Sequence, residues 1–562
     1  MSDLSPGLIL ILGSALIPLF RGHLRSTYML LLPLSAFALI LTIPYGNHGE
    51  IELFNLTLTT VRVDGLSLIF SYAFLLAAFL GIIYALHIND TRQQVAALIY
   101  SGSAIGAVLA GDLLTLFIFW EGTTVGSAIL VFAGSSERAY RAGMRYLVVQ
   151  IGSGVLLLAG AGMIYVDTGS ITFGQIGIET LGGVLILVAF GIKCAFPFLH
   201  NWLQDAYPEA TVTGTVFLSA FTTKLAVYAL ARGYPGTEIL VPIGVAMTAF
   251  PIFFAVIEND LRRVLAYSLN NQLGFMVVGI GIGTELSISG TAAHAFSHVI
   301  YKALLFMSMG AVLYRTGTIK GSELGGLYKT MPWTTVFCIV GAASISAFPL
   351  FSGFISKALI ITAAMKEGYF VTWLILLFAS AGVFHHSGIK IPFFAFFAHD
   401  SGKRPAEAPS NMLVAMGISA ILCIGIGVFP SALYAILPFN VTYIAYTSEH
   451  VITQLQLLMF SALAFTVLIR TGIYPPELRS TNLDFDWFYR RLLRNTAIAT
   501  AELGARARAQ FVGILSRQLS RFLRAAYRHH GPTGVLARSW PTGSMAFWAT
   551  FLLAAYLLLY YF

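Results

Sequence analysis

The sequence predicts an all-α polytopic membrane protein. Of its 562 residues, 57% are hydrophobic and only 10% are charged, whereas a soluble globular chain carries about 25% charged residues. Apolar runs long enough for a membrane helix, which needs roughly 20 residues, recur along the chain. Most charged residues lie in short loops between these runs, and no soluble domain is expected.

Sixteen apolar runs are candidate membrane helices. They lie at about residues 7–20, 28–44, 65–86, 95–110, 112–133, 143–165, 181–203, 211–231, 238–257, 263–283, 288–314, 332–366, 370–389, 411–432, 452–470 and 543–561. The first run has no basic segment before it, so it predicts a short membrane helix rather than a cleaved signal peptide.

The charges of the loops alternate and predict the orientation. Basic loops hold Arg21, Arg25, Arg92, Arg138, Arg141, Arg262, Arg263, Arg315, Lys320, Lys329, Lys403 and Arg404. The intervening loops hold Glu50, Glu52, Asp167, Glu179 and Glu285. The positive-inside rule therefore puts the basic loops in the cytoplasm and both termini on the outer side of the membrane. Asp205 and Glu209 break the pattern, because they fall on the basic side.

Two of the runs should be broken helices. The run 332–366 is too long for one plain helix and contains Pro349 and Gly353, and the run around Lys193 is interrupted at Pro197 and Pro208. Interrupted helices at comparable places in two halves of a chain indicate an internal repeat.

Residues 482–540 differ in composition, with ten arginines between Arg490 and Arg538. Their spacing among apolar residues predicts an amphipathic helix, continuous or interrupted, on the cytoplasmic membrane surface, where anionic lipid attracts basic residues. Nucleic-acid binding is disfavoured, because a membrane helix follows at once. The predicted regions are 1–94, 95–235 and 236–395 (two repeats), 396–481, 482–540 and 541–562.

Ionisable residues inside the apolar runs are the candidate functional residues. His294, His298 and Lys302 recur every four residues, so they share one helix face over about 12 Å. Glu121, Lys193, Lys224 and Lys357 lie in other runs. An ionisable group at membrane depth costs roughly 2.5–3.5 kcal/mol, which favours a proton relay. A structural salt-bridge network is the alternative.

Several further charged residues are weaker candidates. His385, His386 and Lys390 lie at a predicted cytoplasmic helix end, where snorkelling toward the interface explains Lys390. His200 fits either a gate or a helix cap. Glu258, Asp260, Arg262 and Arg263 are expected to form ordinary surface pairs.

No bound cofactor, metal or nucleic acid is expected. The sequence shows no nucleotide-binding loop, and the glycines of Gly279–Gly283 indicate helix packing. Cys194, Cys338 and Cys423 lie in apolar runs without haem or zinc spacing, so inert core thiols are expected. The sequence shows no cluster of carboxylates and carbonyls of the kind that would indicate a sodium site.

Six motifs occur in a fixed order: FxFWEG around Glu121, GIKCAFPFLHNWLQDA, KLAVYALAR, DLRRVLAYSLNNQLGF, HAFSHVIYKALLF and FSGFISK. Over about residues 60–430 the chain resembles the antiporter-like subunits of Mrp-type cation/proton antiporters, complex I and membrane-bound hydrogenases. Within this family it resembles the D-type chain of bacterial antiporters most. The resemblance implies fourteen core helices with two inverted five-helix repeats, each containing one broken helix, around a polar axis.

The resemblance also implies roles for individual residues. Glu121, Lys193 and Lys224 match the family's glutamate of helix 5 and lysines of helices 7 and 8. His294, His298 and Lys302 match the stripe of helix 11, and Lys357 matches the lysine of helix 12. The chain departs from the family pattern at three places. Glu258 stands where the family usually has glutamine, and Asn270 where it usually has serine. Ala347-Phe348 replaces the glycine that usually precedes the proline of the broken helix. The C-terminal region resembles the lateral-helix extension of the chain that ends the membrane arm of complex I.

These observations predict a transporter rather than a catalyst: a proton-translocating subunit of a multisubunit Na⁺ or K⁺/proton antiporter. Two alternatives stay open. The same chain fits an NADH:quinone oxidoreductase or hydrogenase-type complex, whose redox centres would lie on other chains. It also fits a membrane partner of an inorganic-carbon-uptake complex, in which residues 482–540 would hold a soluble catalytic protein to the membrane.

Overall fold

Each of the sixteen predicted apolar runs contains a helix. The computed structural model describes residues 3–54, 56–474, 482, 484–539 and 541–562. The chain divides into two units, Met1–Asn482 and Leu483–Phe562. Among the described residues, eleven helices are long and apolar enough to cross a membrane.

The described part of the first unit contains twenty α-helices and one hairpin. It begins with α1 (Pro6–Ser14), α2 (Gly22–Ile40), β1 (Gly46–Leu53), β2 (Leu56–Val63), α3 (Gly65–Ala85), α4 (Thr91–Leu109), α5 (Leu113–Phe132), α6 (Glu137–Thr168), α7 (Leu181–Cys194), α8 (Asn201–Ala206), α9 (Gly214–Ala220) and α10 (Thr222–Gly233). It continues with α11 (Leu240–Ile257), α12 (Leu261–Ile282), α13 (Glu285–Thr316), α14 (Pro332–Ile345), α15 (Ser352–Lys366), α16 (Phe370–Val383), α17 (Lys390–Pro392), α18 (Ser410–Val428), α19 (Pro430–Tyr434) and α20 (Ser448–Arg470).

The N-terminal region differs from the sequence prediction in one element. The predicted short first helix is present as α1, whose nine residues span about 13 Å, and a 3₁₀ turn at Ile17–Leu19 follows it. The loop after α2 forms an unpredicted antiparallel hairpin, in which Gly46 pairs with Val63 and Leu53 with Leu56. β-Branched residues of β2 favour a strand, and the Asp112 carboxylate at the start of α5 accepts a hydrogen bond from the Thr59 amide at 2.8 Å.

α13 is the central helix of the first unit. Every residue from 287 to 312 except Phe296 is buried, and α13 packs against α3, α9, α12, α14, α15 and α18. The side chains of α13 are therefore enclosed by protein over most of a membrane's thickness.

The two predicted breaks are present and share one backbone conformation. α7 ends before Ala195 (φ 62°) and α14 ends just before Ala347 (φ 57°). In each break the sequence Ala-Phe-Pro follows, and the residue after proline also has positive φ, at 69° for Phe198 and 74° for Leu350. The amides of Leu199 and Phe351 donate to the carbonyls three residues earlier, at 2.9 and 3.2 Å. Both turns are of type II, with proline at the second position.

The helix beginning with α16 continues beyond its predicted end at residue 389. Two π-helical segments, Phe384–Ile389 and Phe393–Phe397, flank α17, so the helix extends over Phe370–Phe397. The second unit contains a π-helical turn (Phe488–Leu493), α21 (Arg494–His530) and α22 (Thr542–Tyr561). α21 is a continuous helix of 37 residues.

Candidate functional site

The histidine–lysine stripe lies on α13 in the interior of the first unit. His294, His298 and Lys302 are completely buried, and the two imidazole rings lie 6.2 Å apart between centroids. His294 Nδ1 lies 3.0 Å from the hydroxyl of Ser356 on α15. Ser356 directly precedes Lys357, so this contact joins the stripe to the next predicted lysine.

A group of polar residues that the sequence analysis did not name surrounds His294. The Tyr301 hydroxyl donates to Gln272 Oε1 at 3.1 Å and lies 3.5 Å from His294 Nε2. Gln272 donates in turn to Asn271 Oδ1 at 2.6 Å. Three consecutive amide side chains, Asn270 to Gln272, in an apolar helix were the signal that could have found this network.

Lys357 lies against the second break. Its ammonium donates to the carbonyl of Ile345, the last residue of α14, at 2.6 Å and lies 5.3 Å from the Phe275 ring centroid. Gln454 donates to the neighbouring carbonyl of Ser346 at 3.3 Å. Gln454 and Ala358 line a cavity of about 590 Å³. The cavity therefore adjoins the Lys357 end of the polar row, which consists of Glu121, Lys193, Lys224, His294, His298, Lys302 and Lys357.

Lys193 and Glu121 lie at the other end of the row. The buried Lys193 ammonium donates to the Trp120 carbonyl at 2.7 Å and to the hydroxyls of Thr123 and Thr124 at 2.9 and 3.2 Å. The half-buried Glu121 lies against Gly154 of α6. A Cβ atom at residue 154 would lie 1.8 Å from Glu121 Oε1, so the glycine leaves room for the carboxylate.

Lys224 lies between these ends, at the junction of α9 and α10. Its buried ammonium donates to the Ser219 carbonyl at 2.5 Å and to the Thr223 hydroxyl at 3.2 Å. In the described part of the chain, no hydrogen bond or ion pair joins Lys193, Lys224 and the α13 stripe directly.

Several buried polar atoms of this row have no hydrogen-bond partner among the described residues. They include the Lys302 ammonium, both ring nitrogens of His298, the Asn270 amide and Glu121 Oε1. Buried polar atoms are nearly always hydrogen-bonded to protein or water. Bridging water molecules could form hydrogen bonds to such a row of buried polar atoms within one helix bundle.

The weaker candidates take other positions. Lys390 does not snorkel: it is buried and donates to the carbonyls of Val256 and Glu258 at 2.6 and 2.7 Å. The half-buried ring of His385 stacks on Tyr474, while His386 is buried beside Ser387. His200 precedes α8 without a side-chain cap, and its ring packs on Phe250.

Arg262 also contradicts the prediction of ordinary surface pairs. Its side chain is buried, and its guanidinium donates to the carbonyls of Pro208 and Ala210, both at 3.0 Å, and to the Thr215 hydroxyl. Arg262 therefore binds the loop between α8 and α9. Glu258 and Asp260 are buried as well, and Asp260 pairs with Lys320 at 2.9 Å.

The two acidic residues that broke the charge pattern are both paired. Arg145 forms two hydrogen bonds with Asp205, at 2.6 and 3.0 Å, and Arg138 lies 2.7 Å from Glu209. These basic partners offset the acidic charges on that side.

Comparison with known proteins finds a matching family model. Residues 110–385 match the family model described as NADH:quinone oxidoreductase/Mrp antiporter, TM. The matched region includes every residue of the polar row from Glu121 to Lys357. The chain is a multi-pass membrane protein that is similar to this family over that region.

Two relatives are chains of the Na⁺/H⁺ antiporter of Alkalihalophilus pseudofirmus. The D chain of that antiporter is 33% identical over 55% of this chain and 66% of its own length. The A chain is 29% identical over 66% of this chain and 53% of its own length. The protein thus spans just under two thirds of the first relative and about half of the second.

Two solved structures share the fold. A chain of the Mrp complex from Dietzia sp. superposes with a TM-score of 0.66 at 21% identity, covering 76% of this chain and 91% of its own. A chain of the membrane-bound sulfane sulfur reductase, an archaeal respiratory membrane complex, superposes with a TM-score of 0.71 at 22% identity, covering 99% and 100%.

Proposed function

We propose that this chain is a proton-translocating subunit of a multisubunit Na⁺ or K⁺/proton antiporter. The observation that carries the proposal is the buried row from Glu121 and Lys193 through Lys224 and the α13 stripe to Lys357. Its location in the family domain and the likeness to the D and A chains of a Na⁺/H⁺ antiporter support it.

In this mechanism protons are taken up near Glu121 and Lys193, pass Lys224 and the stripe, and leave by Lys357. Glu121 modulates the proton affinity of Lys193 through its charge, since unit charges about 6 Å apart at an effective dielectric near 20 interact by about 3 kcal/mol. The histidines pass protons through bridging water. The membrane potential supplies about 2.3 kcal/mol per charge per 100 mV for cation export.

The proposed setting is a bacterial inner membrane with both termini periplasmic. Partner chains of the antiporter complex surround the first unit, and α21 lies on anionic lipid at the cytoplasmic surface. Four arginines recur along its final part, Arg517, Arg521, Arg524 and Arg528. Each gains about 1 kcal/mol from such a surface.

The test is cation-driven proton exchange by the purified complex in lipid vesicles. Lys224→Gln should abolish exchange while the complex still assembles, because the variant removes the central protonatable group. Lys403→Gln, in a loop, is the matched control and should exchange at the wild-type rate. Lys224→Gln vesicles that exchange at the wild-type rate would overturn the relay.

A respiratory complex is the second candidate, favoured by the full-length superposition on the sulfane sulfur reductase chain. Gentle purification followed by mass spectrometry separates the two. Co-purifying small hydrophobic chains without flavin or iron–sulfur proteins support the antiporter. Soluble redox proteins in the complex would instead assign the same proton path to a respiratory machine.

A further inference from the structure

A second cavity lies where α3 and α13 begin and α10 ends. Its volume is about 490 Å³, and its walls include Asp64, Leu66, Gln175, Arg232 and Glu285. These residues lie at the helix ends next to the acidic loops, on the opposite face from Arg262 and Lys320. The cavity is therefore accessible from the face that carries the acidic loops.

A polar column on α10 connects this cavity to the interior. Lys224, Tyr228 and Arg232 are spaced four residues apart and share one helix face. Arg232 Nε donates to the Tyr228 hydroxyl, and Arg232 Nη2 donates to Asp64 Oδ1, both at 2.8 Å. The Asp64 carboxylate is fixed because it also caps α3, accepting from the Ser67 amide at 2.8 Å.

Tyr228 distinguishes this column from an ordinary ion pair at a helix end. An Arg232–Asp64 pair by itself is a common surface feature of little energetic value. Tyr228, however, is completely buried, one helical turn from Lys224, with its ring against Phe70 at 5.4 Å between centroids. Tyr228 therefore places a group that both donates and accepts protons on the same face of α10 as the central lysine, one turn closer to the cavity.

We propose that this cavity and the Asp64–Arg232–Tyr228 column form a proton port that connects Lys224 to the acidic-loop face. The inference deepens the proposed relay and depends on it, since it gives the middle of the row its own opening. Protons then reach Lys224 without passing the α13 stripe or Lys357.

The chemistry of the port requires proton transfer alone. A hydronium ion in the cavity water gives a proton to the Tyr228 oxygen and remains as neutral water, while the original Tyr228 hydroxyl proton moves to the neutral Lys224 amine. Arg232 stays protonated and orients the hydroxyl. Asp64, whose side chain is 37% exposed, exchanges protons with the water. Lys224 now reaches back to Ser219, so loading requires its flexible side chain to swing toward Tyr228, or one bridging water.

Thiol labelling of the assembled complex in vesicles tests the port. The native Cys194, Cys338 and Cys423 are all buried, so a cysteine introduced at residue 66 is the accessible target. A membrane-impermeant methanethiosulfonate ethyltrimethylammonium reagent is applied from the acidic-loop face to Leu66→Cys. Labelling should slow exchange about tenfold or more relative to the same unlabelled variant. The matched control, Glu179→Cys, lies in an exposed loop and should exchange equally before and after labelling.

Tyr228→Phe keeps the ring packing and removes only the hydroxyl, so it should also slow exchange while the complex assembles normally. Wild-type exchange by Tyr228→Phe and by fully labelled Leu66→Cys would overturn the port. A wild-type complex that exchanges no cation would overturn the proposed function instead. Reaction of Lys224→Cys with the reagent from the acidic-loop face would then still support the port, and absence of reaction would overturn it.

Discussion

The Lys193 ammonium donates to the backbone carbonyl of Trp120, 2.7 Å away, while Oε1 of the next residue, Glu121, has no hydrogen-bond partner among the described residues. Among the described residues, the two members of the predicted charge pair form no direct ion pair. Trp120 and the two threonines fix the lysine, and Gly154 accommodates the carboxylate beside it.

Glu121→Gln should lower proton exchange about tenfold or more, because it removes a negative charge that offsets the charge of Lys193 and leaves the shape of the site unchanged. Vesicle exchange rates measure the effect, and Glu179→Gln in an exposed loop provides the control. Exchange by Glu121→Gln at the wild-type rate would show that the carboxylate has no part in the relay.

Arg262→Lys should destabilise the first unit by about 2–3 kcal/mol, because a lysine cannot replace the branched donors that bind the carbonyls of Pro208 and Ala210. Thermal unfolding of the purified protein measures the change. Arg263→Lys is the neighbouring control. Among the described residues, the Arg263 guanidinium forms an ion pair with Glu258 at 3.8 Å, which lysine can keep, so this variant should cost less than about 1 kcal/mol. Equal losses in both variants would contradict the clamping role.

The second break should respond in opposite directions to two small substitutions. Ala347→Gly should stabilise the protein by about 0.5–1 kcal/mol, because Ala347 has a φ of 57° that glycine adopts without strain. Gly353→Ala should destabilise it by at least about 2 kcal/mol, because the new Cβ would lie 1.8 Å from the Ser344 carbonyl oxygen. Thermal unfolding of both variants measures the direction of each change. Unfolding temperatures that shift in the same direction would contradict the backbone conformation of the second break.

Because of Asp64, the folding stability of the first unit should vary with pH in the acidic range. Burial raises the pKa of its carboxyl, but the hydrogen bond and charge of Arg232, with smaller contributions from Ser67 and Arg62, outweigh burial and lower the pKa below its ordinary value. A lowered pKa stabilises the folded state above the unfolded value of about 4, and the stabilisation is lost as pH falls below it. The difference in unfolding temperature between wild type and Asp64→Asn should therefore be constant between about pH 5 and about pH 7 and shrink below about pH 4. A difference that grows on acidification would contradict the sign.

The sequence indicated the features that depend on local pattern, and it missed those that distant segments create. The α13 stripe follows from a spacing of four residues, and the breaks follow from Pro197 and Pro349. The burial of Lys390 could not be predicted, because the carbonyls that accept from it belong to residues 256 and 258. The burial of Arg262 could not be predicted for the same reason, since its hydrogen-bond partners lie about fifty residues earlier in the chain.

The lysines at helix discontinuities have a mechanical consequence. Lys224 and Lys357 each donate to a carbonyl at the end of a helical segment, Ser219 and Ile345 respectively. Charged donors form stronger hydrogen bonds than neutral ones, so a lysine that gives up its proton holds its carbonyl less firmly. In the proposed relay, each loss of a proton would then loosen the contact between two half-helices, and each gain would tighten it. Proton occupancy and backbone movement would thereby be coupled at these two lysines, which is the kind of linkage through which the proposed relay would drive a neighbouring chain.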